Sequence, residues 1–167
     1  MDAIIKNINV VKSGGWCHSF PQIAKGGVKL TGIYRHTIDA KGRLFIPSRL
    51  REELGDNFYI TISMEKCLSA FSNESWLASK EKFNMMSRES KKRMRSIYAH
   101  ASPGVLDSQG RVLIPQALRK WANLDKNVTV VGAGDCVEFW DSEAWEIVDE
   151  IETTPEYIAE VFKELDF

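Results

Sequence analysis

The sequence has few of the features that mark secreted, membrane-spanning or disulfide-stabilised proteins. Its 167 residues include three cysteines at wide spacing, an odd number that is more typical of reduced thiols than of a disulfide framework. No apolar run approaches the roughly 20 residues that span a bilayer. The first residues lack the basic start and the cleavage site of a secretory signal. These absences predict a cytoplasmic protein that does not enter a membrane.

Residues that carry catalytic or cofactor chemistry are also sparse. The three histidines, His18, His36 and His100, stand at no zinc-binding spacing relative to the cysteines. The segment "GAGD" at 132–135 has no lysine or hydroxyl in the spacing of a phosphate-binding loop, so it favours a hairpin turn. No Ser, His and Asp arrangement and no carboxylate pair has supporting context. The sequence therefore predicts no enzyme, no metal site, no cofactor and no small-molecule substrate.

The net charge of −1 conceals an uneven distribution along the chain. Residues 141–167 contain ten acidic residues and one lysine, whereas residues 1–140 contain 21 basic and 13 acidic residues. Such a chain can present a basic working surface and an acidic tail. Ordinary solvated surfaces explain the same counts, so the charge alone leaves both interpretations open.

One segment of the chain occurs twice. "IDAKGRLFIPSRLR" at 38–51 and "LDSQGRVLIPQALR" at 106–119 agree at seven of fourteen positions. Downstream, Cys67 corresponds to Cys136 and Trp76 to Trp145. A copy of about 45 residues buries too little surface to be stable alone. We therefore expect the two copies to pack on each other, with the two cysteines as small core residues.

Each copy is predicted to be a short α+β unit. In the first copy, a turn at 39–42 separates two strands, and Pro47 introduces a short helix at 48–55 that Gly55 ends. Asn73 is placed to cap the helix that follows. The alternating apolar pattern predicts two hairpin-like strand pairs, which are 32–38 with 43–46 and 58–62 with 67–71.

Two further helices lie outside the repeated motifs. Residues 87–101 are predicted to form a basic helix between the copies, and residues 154–167 an acidic amphipathic helix. The acidic polar face favours packing on the body or on a neighbouring subunit rather than on a membrane. The apolar stripe of this last helix consists of Tyr157, Ile158, Val161, Phe162 and Leu165.

The chain is thereby divided into five predicted segments. The first segment is either a disordered extension or the translation product of DNA that lies upstream of the true start codon. The second interpretation rests on Lys25-Gly26-Gly27, which a purine-rich ribosome-binding site can encode. Val28 or Leu30 would then be the start. The segments are the extension 1–30, the first copy 31–76, connecting helices 77–101, the second copy 102–145 and an acidic C-terminal helix 146–167.

The two turns carry the clearest functional signal. In each, an aspartate and a glycine hold the backbone, and an arginine follows at the start of the next strand. Arg and Lys can bind guanine edges or phosphates, and Gln can read adenine. The competing interpretation is a stable turn whose arginine pairs with its own aspartate, and the residues alone do not decide between the two. Further basic residues near the first turn are Arg35, His36, Arg49 and Arg51.

The paired motifs, together with "VVGAGDCVEFWDSEAW" downstream, resemble the MraZ family of bacterial transcriptional regulators, which are double-copy relatives of the AbrB-like proteins. The resemblance covers about residues 31–150. It implies an α+β fold in which tandem SpoVT/AbrB-like repeats form a swapped-hairpin β-barrel with short helices and pseudo-two-fold symmetry. It also implies a ring-shaped homo-oligomer associated with the nucleoid.

The resemblance further implies binding to double-stranded DNA. The expected target is a set of tandem G-rich boxes upstream of the protein's own cell-division and cell-wall operon, which it would repress. The alternative is an oligomeric protein-interaction scaffold without DNA binding. The residues expected to bind DNA are Arg35, Lys41, Arg43, Arg51, Gln109 and Arg111. The residues expected to hold the turns are Asp39, Gly42, Pro47, Asp107, Gly110 and Pro115.

Overall fold

A computed structural model describes residues 30–164. The predictions for residues 1–29, and for Leu165 in the apolar stripe, therefore lie outside the described residues. The strands are β1 Leu30–Thr37, β2 Arg43–Phe45, β3 Asn57–Ile62, β4 Leu68–Ser72, β5 Ser102–Val105, β6 Arg111–Leu113, β7 Asn127–Gly134 and β8 Val137–Asp141. The helices are α1 Ser48–Leu54, α2 Asn73–Met85, α3 Arg88–Ala99, α4 Gln116–Trp121, α5 Ser142–Glu152 and α6 Pro155–Glu164.

The strands form two antiparallel sheets that mix the two copies. The larger sheet has the order β1-β7-β8-β4-β3-β5, and the smaller sheet pairs β2 with β6. When each strand is replaced by its counterpart in the other copy, this order reads the same from either edge. Neither copy forms a sheet of its own, which confirms that the two copies pack on each other.

The predicted pairing of residues 32–38 with 43–46 is wrong. β1 instead pairs along its length with β7 of the second copy, and β2 pairs with β6. Only a single bridge, between Ile38 and Leu44, joins the two segments. The reason is length: β2 has three residues and cannot satisfy the backbone of the eight-residue β1, whereas β7 also has eight. The second predicted pair is confirmed, because β3 pairs with β4.

Two strand pairs mark where the copies meet. In the smaller sheet Leu44 lies opposite its own counterpart Val112. In the larger sheet Ser69 of β4 lies opposite its counterpart Glu138 of β8. A residue paired with its own counterpart lies on the axis that relates the copies. This axis therefore runs through both sheets.

A single large core draws side chains from both copies. It includes Leu44, Leu50 and Leu54 of the first copy, all at or near zero exposure, and Val112 and Leu118 of the second. Burial of a Leu or Val side chain contributes about 1.5–3 kcal/mol. Leu50 and Leu54 are four residues apart and therefore lie on the same face of α1, which is buried. Their burial packs this short helix against the core.

Several helix and turn predictions need correction at their ends. Ser72, not Asn73, caps α2, because the Ser72 hydroxyl accepts a hydrogen bond from the Ser75 N–H at 3.2 Å. Gly55, with φ of +80°, ends α1 as predicted. Strand β7 continues through the "GAGD" segment to Gly134, because β1 pairs with it there, and the hairpin turns beyond that residue.

The two cysteines of the paired copies are both fully buried, as expected of core residues. Cys67 is a free thiol, which confirms the prediction of a reduced cysteine there. For Cys136 that prediction is wrong, since Cys136 is disulfide-bonded. Spacing along the sequence could not reveal this, because it carries no information on which residues the fold brings together.

The acidic C-terminal segment contains parts of two helices rather than one. Helix α5 ends at Glu152, and α6 begins at Pro155. Proline lacks a backbone N–H and suits the first turn of a helix rather than its interior. The boundary therefore falls immediately before it. Among the helices of residues 30–164, none has both the length and the apolar character to cross a membrane.

Candidate nucleic-acid interface

The turn at 39–42 is held by one aspartate. The Asp39 Oδ1 accepts hydrogen bonds from the backbone N–H of Lys41 at 2.9 Å and of Arg43 at 3.0 Å. The Gly42 N–H donates to the Asp39 carbonyl at 2.8 Å. Gly42 has φ of +82°, a region that glycine enters without the steric cost that a Cβ would add. These bonds fix the path of the chain from β1 into β2.

The turn at 107–110 repeats this geometry bond for bond. The Asp107 Oδ1 accepts from the backbone N–H of Gln109 and of Arg111, each at 2.9 Å. The Gly110 N–H donates to the Asp107 carbonyl at 2.9 Å, and Gly110 has φ of +74°. The agreement of the two sequences at Asp, Gly and Arg thus reflects one turn structure built twice.

Each arginine is bound by its own aspartate. The Nε and Nη2 atoms of Arg43 each lie 2.7 Å from the Asp39 Oδ2, and those of Arg111 lie 2.9 and 2.8 Å from the Asp107 Oδ2. The Nη1 atom of Arg43 is 3.9 Å from the Asp107 Oδ2, and that of Arg111 is 4.0 Å from the Asp39 Oδ2. These four side chains form one group, here called the tip cluster, where the two turns meet.

The contacts of the tip cluster favour the ionised form of its two aspartates. Hydrogen bonds from the Arg43 side chain and backbone lower the pKa of Asp39 to about 2, and the equivalent bonds from Arg111 lower the pKa of Asp107. Two carboxylates therefore balance two guanidinium groups. In the structure, each arginine thus pairs with the aspartate of its own turn, as the competing interpretation of the turns expects. The role of the two arginines in binding DNA stays a prediction.

The arginines nevertheless keep hydrogen-bonding capacity. A guanidinium has five N–H donors, and each carboxylate contact engages only Nε and one Nη2 hydrogen. The Nη1 group is too far from the opposite aspartate, at 3.9–4.0 Å, for a hydrogen bond. The side chains of Arg43 and Arg111 remain partly exposed. Both arginines can therefore donate to a further acceptor without leaving their aspartates.

An arginine from each helix covers the turn of the other copy. A Cβ at Gly110 would come within 2.5 Å of the Arg51 Nη1, and a Cβ at Gly42 within 2.9 Å of the Arg119 Cζ. The Arg119 Nε also donates to the Ile114 carbonyl at 3.0 Å. The sequence prediction missed this role of Arg119, although its match with Arg51 in the repeated segment is a signal that could have found it.

The side chain of Arg51 is more buried than is usual for an arginine that binds DNA. Its guanidinium lies over the Phe45 ring, with 5.4 Å between Cζ and the ring centroid. Its Nε is buried without a hydrogen-bond partner among residues 30–164. Packing on Phe45 and Gly110 is thus what the structure shows for Arg51, and its contact with DNA stays a prediction.

Backbone bonds join each turn to the opposite copy. The Ile46 N–H donates to the Gly110 carbonyl at 3.0 Å, and the Ile114 N–H donates to the Gly42 carbonyl at 2.9 Å. Pro47 and Pro115 follow directly and occupy the N-cap positions of α1 and α4. Each turn is therefore fixed from within by aspartate and from outside by the other copy.

The exposed side chains of the two tips differ. Lys41 lies at the tip of the first turn and Gln109 at the tip of the second, and both are exposed. On the adjoining helices, the exposed Arg49 corresponds to the exposed Ala117. Among the described residues, no ion pair is recorded for Lys41 or Arg49. The first tip thus has two positive charges that the second lacks.

Arg35 lies apart from the tip cluster. It forms an exposed ion pair with Glu146 of α5, with 3.1 Å between Arg35 Nη2 and Glu146 Oε1. Arg35 and Glu146 border an open groove of about 520 Å³ that also contains Glu143. The neighbouring His36 packs on the Phe45 ring, and desolvation lowers the pKa of His36. This groove is electrically mixed, so it is less suited than the tips to a phosphate backbone.

Within residues 30–164, no group of three or more His, Cys, Asp or Glu side chains is placed to hold a metal ion. The side chains at the turns offer the remaining hydrogen-bond donors of Arg43 and Arg111 and the exposed side chains of Lys41 and Gln109.

A comparison with protein families identifies a match that spans most of the described chain. The model of the family described as "MraZ protein, putative antitoxin-like" matches in two consecutive segments, residues 30–96 and 97–155. Each segment contains one turn and one half of the tip cluster.

Proposed function

The chain belongs to the MraZ family, and from that premise we propose that it is a sequence-specific, DNA-binding transcriptional regulator. It binds tandem G-rich boxes upstream of its own cell-division and cell-wall operon and represses that operon. It acts as a ring-shaped homo-oligomer in the cytoplasm, associated with the nucleoid. The exchange of strands between the copies supports a swapped-hairpin barrel. The division of the chain into five segments is part of the same proposal, except that segment 146–167 contains the end of α5 and then α6 instead of one helix.

The observation that carries this proposal is the pair of fixed turns. The two turns meet at the tip cluster and are each held by six or more hydrogen bonds and ion contacts described above. A binding element that is rigid before it meets its ligand loses little entropy on binding. Two such elements side by side can contact neighbouring positions of one DNA groove.

Different residues serve different parts of the interface. Lys41 can neutralise a phosphate as a mobile charge, whereas Arg43 and Arg111, held by their aspartates, are positioned for the guanine edge. Gln109 can hydrogen-bond to a base but cannot neutralise a phosphate. We expect the first turn to contribute more to affinity than the second. Arg35 and Arg51 have weaker support, because each is engaged elsewhere in the chain.

A ring of such subunits suits repeated DNA boxes. Once one subunit binds its box, the next box is presented at a high effective concentration to the next subunit. A weak contact per subunit can then produce tight binding of the whole assembly. The tip cluster, in which two carboxylates balance two guanidinium groups, is compatible with weak binding by each subunit. Weak binding at each site also limits non-specific binding of a single subunit to other DNA.

The test is fluorescence anisotropy with the DNA upstream of the protein's own gene. A scrambled duplex of the same composition serves as the specificity control, and a salt series measures phosphate contacts. We expect preferential binding of the upstream DNA, with log K falling by about 0.9 per phosphate contacted for each tenfold rise in salt. The variant Arg43→Ala should lose the preference, whereas Lys80→Ala, at an exposed position of α2, should not.

The second candidate is an oligomeric scaffold that binds other proteins. The observation that favours the scaffold is that both arginines are paired with aspartates. The tips are therefore less positively charged than they would be if the arginines were unpaired. A salt-insensitive protein with no preference for the upstream DNA would support the scaffold and refute the DNA-binding proposal.

A further inference from the structure

The two arginines that cover the turns, Arg51 and Arg119, are held in place by different contacts. The Arg119 Nε donates to the Ile114 carbonyl at 3.0 Å. The Arg51 Nε is buried and has no hydrogen-bond partner among residues 30–164. Its guanidinium lies over the Phe45 ring, with 5.4 Å between Cζ and the ring centroid, and the face of an aromatic ring attracts a cation. The ring of the first copy therefore does for Arg51 what the hydrogen bond of the second copy does for Arg119.

The Phe45 ring is in turn packed by His36 of β1. The two ring centroids are 5.3 Å apart and the ring planes are inclined at 54°, which is a tilted arrangement that aromatic pairs favour. The bridge between Ile38 and Leu44 brings the end of β1 beside β2, and this places the two rings together. We call the three connected side chains His36, Phe45 and Arg51 the aromatic stack.

The aromatic stack contacts the second turn rather than the first. The Arg51 guanidinium packs on Gly110, because a Cβ there would come within 2.5 Å of the Arg51 Nη1. In the smaller sheet, Phe45 lies directly opposite Arg111. Residues opposite each other in an antiparallel pair carry neighbouring side chains on one face of the sheet. A displacement of the Phe45 ring would therefore disturb the second turn both at its glycine and at its arginine.

The second copy has no equivalent of the aromatic stack. At the offset that relates Asp39 to Asp107, the counterparts of His36 and Phe45 are Gly104 and Leu113. Gly104 has no side chain that could pack on a ring, and Leu113 is 58% exposed. The arginine over the first turn is therefore held without an aromatic ring, so the two turns differ in what supports them.

We propose that Phe45 is a positioning residue for the second turn, which holds Arg51 against Gly110 and thereby sets the direction in which Arg111 meets DNA. The inference rests on the proposed DNA-binding function and identifies a residue that controls one of its two tips. Phe45 acts through Arg51 and needs no contact with DNA of its own. A turn that is fixed before binding loses less entropy when it binds, so removal of the ring should weaken the second tip alone.

Amide hydrogen exchange of the free protein tests this role without DNA. The N–H groups of Gly110 and Gly42 make equivalent bonds, to the carbonyls of Asp107 and Asp39 at 2.9 and 2.8 Å, so each reports on the opening of its own turn. Phe45→Leu gives the first copy the side chain that the second copy has at this position. It should speed exchange at Gly110 by about two- to fivefold, the range expected of an exposed cation–π contact, and leave exchange at Gly42 unchanged.

Two control variants separate the ring from its size and its place. Phe45→Tyr keeps the aromatic face and should leave exchange at both glycines unchanged. Leu113→Ala shortens the exposed side chain at the equivalent position of the second copy and should also change neither. The proposal is overturned if Phe45→Leu affects both glycines alike or affects neither, or if Phe45→Tyr has the effect of Phe45→Leu.

Anisotropy titrations with a duplex that contains one box of the upstream DNA test the effect on binding. Phe45→Leu should weaken binding by about two- to fivefold, and by the same factor when Lys41→Ala has altered the first tip. Combined with Arg111→Ala it should cause no further loss, because the arginine that it positions is absent. A further loss of the same size in the Arg111→Ala background would show that the two residues act independently and would overturn the proposal.

The two experiments also separate this inference from the proposed function. If exchange at Gly110 responds selectively but the unchanged protein has no preference for the upstream DNA, the DNA-binding proposal fails and Phe45 still positions the turn. If the unchanged protein binds the upstream DNA but exchange at Gly110 does not respond, only the role of Phe45 fails.

Discussion

The two turns have the same internal structure and different outer surfaces. In both, the aspartate accepts two backbone N–H groups, the glycine has positive φ, and the arginine returns to the aspartate within 3 Å. Outside this frame, Lys41 corresponds to Gln109 and Arg49 to Ala117. Within the turns, from Asp39 to Arg43 and from Asp107 to Arg111, identity is thus confined to the Asp, Gly and Arg that hold the turn.

The difference separates two kinds of constraint. The residues that hold each turn contact the other copy, because Arg51 packs on Gly110 and Arg119 packs on Gly42. A substitution at one of these positions is therefore expected to disturb both copies. The exposed residues contact only solvent or a binding partner. A substitution of an exposed residue at one tip is therefore expected to leave the structure of the other tip unchanged. The first tip is therefore expected to favour phosphate and the second to depend more on base contacts.

The largest expected effect lies where the copies meet, at the unequal pair Ser69 and Glu138. Glu138 is 8% exposed, and desolvation raises its pKa to about 7 although Trp140 donates to it at 2.9 Å; the charges of Glu65 and Glu152 also raise it. The stability due to protonated Glu138 is complete below pH 4.5 and is lost as the pH rises through about 7. The total is roughly 3 kcal/mol.

The variant Glu138→Gln should remove this part of the pH dependence. Urea unfolding at pH 5 and pH 8 would measure it, and we expect the variant to lose less stability than the unchanged protein between the two. The amide oxygen can still accept from Trp140, so the effect reports on charge rather than on a lost bond. An equal loss in both proteins would show that Glu138 is already solvated when ionised.

The second effect compares the two arginines in DNA binding. Arg43→Ala should weaken binding of the upstream DNA by about 1–3 kcal/mol, the value of a bidentate base contact, and Arg111→Ala by a similar or smaller amount. Anisotropy titrations measure both losses. Urea unfolding must accompany them, because normal DNA affinity with reduced stability would mean that the arginines serve only the tip cluster.

The third effect tests whether the glycines are equivalent. Gly42→Ala and Gly110→Ala should each reduce the free energy of unfolding by about 1–2 kcal/mol, the steric cost of positive φ for a residue with a Cβ. Gly110→Ala should cost more, because its Cβ would approach Arg51 to 2.5 Å, against 2.9 Å from Arg119 at Gly42. Combining Gly110→Ala with Arg51→Ala should recover the difference, since the arginine then no longer has to move.

The smallest effect concerns the exchange of the two tip residues. Lys41→Gln should reduce the slope of log K against log salt by about 0.9, the value of one phosphate contact, and Gln109→Lys should increase it by a similar amount. The double exchange should restore the original slope if the tips are equivalent in position. A slope that changes with Lys41 but not with position 109 would show that only the first tip reaches a phosphate.

Much of the architecture could be predicted from the repeated segment. The turns at 39–42 and 107–110, the helix ended by Gly55 and the β3–β4 pair all follow from local chemistry, in which Asp, Gly and Pro fix the chain within a few residues. The dependence of the copies on each other followed from their small size. These features require no knowledge of distant contacts.

The sequence could not reveal which strands pair across the copies. The choice of β7 over β2 as the partner of β1 depends on strand length and on the second copy, and both become visible only in the fold. The cross-copy contacts of Arg51 and Arg119 escaped for the same reason. For Arg43, spacing placed the arginine beside its aspartate, but only the geometry shows how many donors stay available.

The pairing of β1 with β7 has a consequence for how the chain folds during synthesis. Ile33 pairs with Val131, about 100 residues later, so β1 waits without its partner until most of the protein has left the ribosome. Contacts between such distant residues require closure of a long loop, and folds rich in them fold slowly. The first copy therefore emerges with an unsatisfied strand and an incomplete core. We expect it to be the most aggregation-prone part of the nascent chain until the second copy arrives to complete it.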